Sequence, residues 1–193
     1  MAKSEILSEF VLSWESSKYT NMRSDRGGAT KFGITLATWK KVGYDKNGDG
    51  KITAEDVKSL SKSDYDRVFK RNYWDVCYGD KIINQSVANL LVDFAYNSGC
   101  SKAIKKIQKV VGTKEDGIIG KNTLAAINNF KQGQWVLFDK LKIARITYLN
   151  DIVKNDPKQE VNLKGWLRRV GNIQYGKLVC NDGRAINCQE SVN

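Results

Sequence analysis

Trp14-Glu15-Ser16-Ser17-Lys18-Tyr19, followed by Ser24-Asp25-Arg26-Gly27-Gly28-Ala29-Thr30-Lys31-Phe32-Gly33-Ile34-Thr35, is the stretch on which the reading of the fold turns. Upstream, Ile6, Leu7, Phe10, Val11 and Trp14 recur at helical spacing and Ser4 suits an N-cap, so a helix is expected over 4–16. Downstream the composition turns polar, with short β-prone pieces on either side of Gly27-Gly28, and predicts a small hairpin lobe over 17–35. Glu15 falls at the helix end, at the rim of its apolar face. Partial burial there disfavours the charged form of a carboxyl group, as a general acid at neutral pH requires. The plainer alternative is a solvated helix-end glutamate.

The chain has no histidine, which removes Ser-His-Asp and Cys-His triads and His-ligated zinc hydrolases. Acid–base chemistry is left to carboxylates, Tyr or Lys. Thirty-two Lys plus Arg against 21 Asp plus Glu give a net charge of +11, which favours a polyanionic partner: nucleic acid, an anionic membrane or a bacterial wall. The basic residues are spread out and no nucleic-acid motif occurs, so nucleic acid is not the expected partner. The N-terminus reads directly into an amphipathic helix, with no signal peptide expected, and no apolar run suggests a transmembrane helix. A protein held in the cytoplasm until it is released to the periplasm or wall, or exported by a non-Sec route, fits this pattern. Cys180 and Cys188 flank Asn181-Asp182-Gly183-Arg184 and could close that loop by a disulfide; four independent thiols, with Cys77 and Cys100, are the alternative.

Further helices are expected at about 36–42, 54–60, 63–74 and 84–98, and from a Ser101 cap to Val111 with Gly112 as its stop. A turn at 114–120 precedes helices at 123–130, 134–154 and 162–174, with a break at Asp156-Pro157 and an irregular tail from Cys180. The fold class is therefore mainly α (α+β), with a small β-hairpin lobe after the first helix. In that lobe Asp25 lies ten residues after Glu15 and Thr30 fifteen. Glycoside cleavage uses two carboxyl groups about a cleft, one protonated and one ionised, and Glu15 with Asp25 suits that pair. Thr30 would position a water; an Asx-turn role is the alternative for Asp25. Asp93 is an outside candidate for the second carboxylate.

The segment resembles the signature of glycoside hydrolase family 108, the lysozyme-like or secretion-activator family, in Glu15, Tyr19, Asp25, Gly27, Gly28, Thr30, Gly33, Ile34 and Thr35. The likeness continues through Tyr73-Trp74-Asp75 and Asp93-Phe94-Ala95-Tyr96-Asn97-Ser98-Gly99. It extends to Gln108 with Asp116-Gly117-Ile118-Ile119-Gly120, and to Gly165-Trp166-Leu167-Arg168-Arg169. The resemblance implies a lysozyme-like fold and N-acetylmuramidase activity on bacterial peptidoglycan, with Glu15 as acid. It also implies a catalytic half over 1–92, a predicted peptidoglycan-binding helical half over 93–180 packed with it as one body, and an irregular tail over 181–193. Ser16-Ser17 replace the family's two glycines, and Asp25 stands one place later than in the related phage-lysozyme pattern. A catalytically silent wall-binding or secretion-accessory protein of the same fold is the alternative function. Sugar faces stack on aromatic rings and amides read acetamido groups, which makes Tyr19, Tyr73, Trp74, Tyr96 and Asn97 the candidate substrate-binding residues. For Trp74 and Tyr96, core packing is the competing reading.

Asp45-Lys46-Asn47-Gly48-Asp49-Gly50-Lys51-Ile52-Thr53-Ala54-Glu55-Asp56 follows EF-hand spacing. The ligands would be Asp45, Asn47, Asp49, the Lys51 carbonyl and Asp56, the last in place of the usual Glu. A structural Ca2+ is expected here as a staple. A Gly-rich turn closed by Asx hydrogen bonds is the alternative, and a calcium-responsive interaction module is a third functional class. No cofactor is expected to be required, and the chain is expected to be a monomer.

Overall fold

The computed structural model describes residues 1–15, 17–21 and 28–188. The order is α1 (Ser4–Trp14), β1 (Thr30–Lys31), β2 (Ile34–Thr35), α2 (Leu36–Val42), α3 (Ala54–Lys58), α4 (Lys62–Phe69), α5 (Gln85–Ser98), α6 (Cys100–Val111), α7 (Lys121–Asn128), α8 (Gln134–Asn155), α9 (Glu160–Gly171), β3 (Ile173–Gln174), β4 (Lys177–Val179) and β5 (Ala185–Asn187). A π-helical turn, Lys70–Trp74, extends α4, and Pro157 opens a short 3-10 turn at the expected break before α9.

α5 is the axis of the molecule. Every residue from Gln85 to Ala95 is buried, and α1, α6, α8 and β3 pack around it. Leu90, Leu91 and Phe94 have no exposed surface. Burial of side chains this size contributes roughly 1.5–3 kcal/mol each relative to exposure. Asn84 caps the helix by accepting from Val87 N at 2.9 Å. The boundary expected at 92/93 falls inside this continuous buried helix, so the two halves share their central element.

α6 begins at Cys100 with Gly99 at its N-cap position, two residues ahead of the Ser101 cap expected, and ends where Gly112 takes φ +73°. The expected C-terminal helix over 162–174 stops at Gly171, and residues 173–187 form a three-stranded antiparallel sheet, β3-β4-β5, whose last strand, β5, lies in the stretch from Cys180 expected to be irregular. Ile173 and Leu178, which face each other in the β3–β4 register, are both fully buried. Strand register places Cys188 beside Gly176, where its N–H donates to the Gly176 carbonyl, whereas Cys180 N donates to Arg184 O at the other end of the hairpin. Four residues of strand at about 3.3 Å each separate them by roughly 13 Å, too far for a disulfide. No disulfide joins them.

The hairpin and the short helices are fixed by local polar contacts. α3 and α4 each start with a capping box, Thr53 with Asp56 and Ser61 with Asp64. Asp64 also accepts from Lys46 Nζ at 2.6 Å. Burial alone pushes its carboxyl up, but Lys46 and the Ser61 donors outweigh it and hold the pKa at about 2. A depressed folded-state pKa contributes stability that is complete above the unfolded value of 3.8 and is lost as pH falls towards about 2. Asp64→Asn is therefore expected to lower the melting midpoint at pH 7. The gap to wild type should close between about pH 4 and pH 2, read by circular dichroism melts across that range.

Candidate active site

Glu15 is placed by the helix that precedes it. Leu7, Phe10 and Val11 anchor α1 in the core, and the chain leaves helical geometry at Glu15, with φ −98° and ψ 147°. Its N–H donates to Leu12 O at 3.2 Å. The carboxylate keeps 24% of its surface exposed, and its Oε1 accepts from Arg169 Nη1 at 3.4 Å.

The opposite side of the carboxylate is set by the hairpin. β1 and β2 pair Thr30 with Thr35 and Lys31 with Ile34, leaving Phe32-Gly33 as a two-residue turn with φ +54° and +71°. Two positive φ values match a type I′ turn, whose twist suits a hairpin. A Cβ at Gly33 would lie 2.7 Å from Tyr96 Oη and 3.1 Å from Glu15 Oε2. Glycine is thus required twice, by the turn and by the close approach of acid and phenol.

Beneath the acid lies a buried charge cluster. Asp93 on α5 has no exposed surface. Its Oδ1 accepts from Arg169 Nε at 3.1 Å and Nη2 at 2.8 Å, and its Oδ2 pairs with Arg145 Nη2 at 2.7 Å. Burial pushes the Asp93 carboxyl up, but Arg169 and then Arg145 more than reverse it and hold it below its ordinary value. Arg169 spans the cluster and the acid, and its guanidinium also lies over the Tyr96 and Trp14 rings at 5.7 and 5.8 Å. Burial, and then the charge of Glu15, raise the Tyr96 phenol far above its usual range. Burial also raises Tyr73. Both phenols are therefore protonated donors at neutral pH.

The structure brings Glu15, Gly33, Tyr96 and Tyr73 together; the Tyr73 ring, carried on the π-helical turn, lies 4.9 Å from that of Tyr96. Thr30 is in β1, its backbone bridged to Thr20 and its hydroxyl donating to Gly28 O at 3.1 Å. Tyr19 is half-buried against the core. Asn97 is exposed at the end of α5, and its Nδ2 donates to Asp93 O at 2.7 Å. Trp74 corrects its expectation: it is fully buried, donates Nε1–H to Asp80 at 2.6 Å and packs so closely on Gly79 that a Cβ there would meet the indole at 2.3 Å. No sugar face reaches it. Asp93, the outside candidate for second carboxylate, is spent on two guanidiniums. Asp25 lies outside the described residues. Arg145, and Arg169 as the partner of Glu15, were not among the expected site residues.

In the 45–56 loop, Asp45 accepts from Gly48 N at 2.7 Å and Gly50 N at 2.6 Å, and Asp49 accepts from Lys51 N at 2.9 Å. Asn47 Oδ1 accepts from Asp49 N at 3.1 Å. Asp56 is fully buried; its Oδ1 takes Lys46 N at 2.6 Å and its Oδ2 takes Thr53 N at 2.7 Å. Among the described residues, no group of three or more Asp, Glu, His or Cys is placed to hold a metal ion. None of the described helices is long and apolar enough to cross a membrane.

The family model described as glycosyl hydrolase 108 matches residues 8–99, and that described as a predicted peptidoglycan domain matches 102–171. A solved structure titled "Structure of Brucella abortus SagA" is 33% identical, with a TM-score of 0.68 over 88% of this chain and 90% of that one. The chain belongs to the glycosyl hydrolase 108 family. Its fold is the lysozyme-like α+β fold of that family, and its function is related to peptidoglycan. The two matched segments of this family member meet between Gly99 and Lys102, at the start of α6. Comparison with curated protein sequences finds no match.

Removing one partner from a buried ion network leaves uncompensated charge, at a cost of about 3–5 kcal/mol. Asp93→Asn is expected to destabilise the protein by that amount in urea unfolding at pH 7, and a loss below about 1 kcal/mol would contradict the role given to the cluster.

Proposed function

We propose that this protein is an N-acetylmuramidase, hydrolysing the β-1,4 bond between N-acetylmuramic acid and N-acetylglucosamine in bacterial peptidoglycan, with Glu15 as the general acid. The observation that carries the reading is the placement of Glu15. Its carboxylate is partly open to solvent, held on one side by Arg169 and approached on the other by the Gly33 turn and Tyr96. A glycosidic oxygen entering beside the hairpin would take its proton from Glu15, and the tyrosine rings would offer apolar faces and O–H donors to the sugar. Asp25 is the proposed second carboxylate and Thr30 the proposed water-positioning residue. The charge of +11 suits approach to an anionic wall.

Turbidity loss of purified peptidoglycan tests the acid. Glu15→Gln keeps an acceptor for Arg169, so its melting midpoint should stay near wild type while the rate falls by roughly 10²–10⁴-fold. Equal rates in both proteins would overturn the assignment of Glu15 as the acid, and no activity in either would favour a silent wall-binding protein of the same fold. New reducing ends on N-acetylmuramic acid identify a muramidase; on N-acetylglucosamine they would not. Gly33→Ala should also slow the reaction, because its methyl group would lie 3.1 Å from Glu15 Oε2.

For the 45–56 loop, calcium is kept as a proposal that rests on Asp45, Asn47, Asp49 and the Lys51 carbonyl, because Asp56 is engaged by backbone amides of the loop. A melting midpoint that rises in millimolar calcium over a chelator supports it. An unchanged midpoint leaves the hydrogen bonds as the loop's own closure.

A further inference from the structure

Behind Arg169, between the C-terminal end of α5 and the facing sides of α8 and α9, lies a cavity of about 100 Å³. A water's share of liquid volume is roughly 30 Å³, so the space suits about three waters or an anion of a few heavy atoms. Its polar lining comes from Arg145, Arg169, Asn97 and Ser98, and its apolar lining from Leu149, Ile152 and Trp166. The Arg145 side chain is only 3% exposed. Its Nη2 serves Asp93, but its buried Nη1 has no hydrogen-bond partner. Leaving such a donor unmet costs about 1–3 kcal/mol, and more when it is charged. A guanidinium edge is built to receive a carboxylate.

The charge count points the same way. Arg145 and Arg169 are balanced by Asp93 and Glu15 only while both carboxylates are ionised. An acid that donates a proton enters the reaction neutral, and Asp93 then faces two buried cations alone. A second anion in the cavity restores the balance.

We propose that this cavity is a carboxylate subsite adjoining Glu15, one that takes a carboxylate carried on a short alkyl group. Bacterial wall glycan presents that chemistry on its stem peptides and on unsubstituted lactyl ethers; free small carboxylic acids present it too. Assigning the wall as source, and the charge argument from a protonated Glu15, rest on the muramidase reading, whereas the cavity and the unpartnered Arg145 Nη1 do not.

Propionate is the probe, with propanamide as its neutral isostere and chloride at equal ionic strength as the control. Calorimetric titration and thermal melting of the wild-type protein should show saturable binding and a raised midpoint with propionate alone. Ile152→Phe fills the cavity from its apolar wall and leaves every charge in place. It should weaken propionate at least tenfold while keeping the chloride baseline, and Ser98→Leu should do the same should the first variant fold poorly. A propionate effect matched by propanamide or chloride, or retained in the filled variants, overturns the proposal. Competitive inhibition of peptidoglycan cleavage by propionate, with KM raised and kcat kept in Ile152→Phe, marks a wall carboxylate as the ligand. Binding without any effect on KM marks a free acid. Because binding is read without turnover, it remains decisive even if wild type and Glu15→Gln prove equally inactive.

Discussion

Asp93 stands between two guanidiniums in the dry centre of the molecule, and the arrangement of everything around Glu15 follows from it. Its Oδ1 holds Arg169 from α9 and its Oδ2 holds Arg145 from α8, while Asp93 itself comes from α5. Three helices are thereby locked at one point by charges that have nowhere else to go. Only because Asp93 grips Nε and Nη2 does Arg169 have Nη1 left to reach Glu15. The catalytic-family segment supplies the two carboxylates and the predicted peptidoglycan segment supplies both cations. The buried cluster therefore joins the two segments through three ion pairs.

The parts of the fold that were readable in the amino-acid sequence are those with enough length to repeat a pattern. α1, α5, α6 and α8 span several turns each; the apolar residues of α1 and α6 recur on one side, and α5 and α8 are long enough to be read as helices. α2 is short but has a cap at Thr35 and a stop at Gly43. The strands of two or three residues show no such repeat, and Ile173 fits a helical period as well as it fits β3, which is why the last sheet was hidden.

The site divides in the same way. Glu15 was visible because it ends a helix and precedes a glycine-containing hairpin, both local features. Arg145 and Arg169 were not, because an arginine pattern reads as solvated charge unless its partner is known. From Arg169, Asp93 lies 76 residues away and Glu15 154. Trp74 looked like a sugar platform for a related reason: one aromatic ring in sequence resembles another until Gly79 is found packed on it.

The C-terminal sheet also touches the helix that ends at Glu15. Asn181 N donates to Ser13 Oγ at 3.0 Å, and Arg184 Nη1 reaches Glu9 at 2.7 Å. These contacts join with the Arg169–Glu15 pair to tie the first helix to the last fifth of the chain. Long-range closure of this kind comes late in folding, because the intervening loop must be ordered first. On a ribosome the first helix emerges long before its clamps. The acid is made 154 residues before the guanidinium that holds it, so the cradle that aims Glu15 cannot close until that later stretch is present.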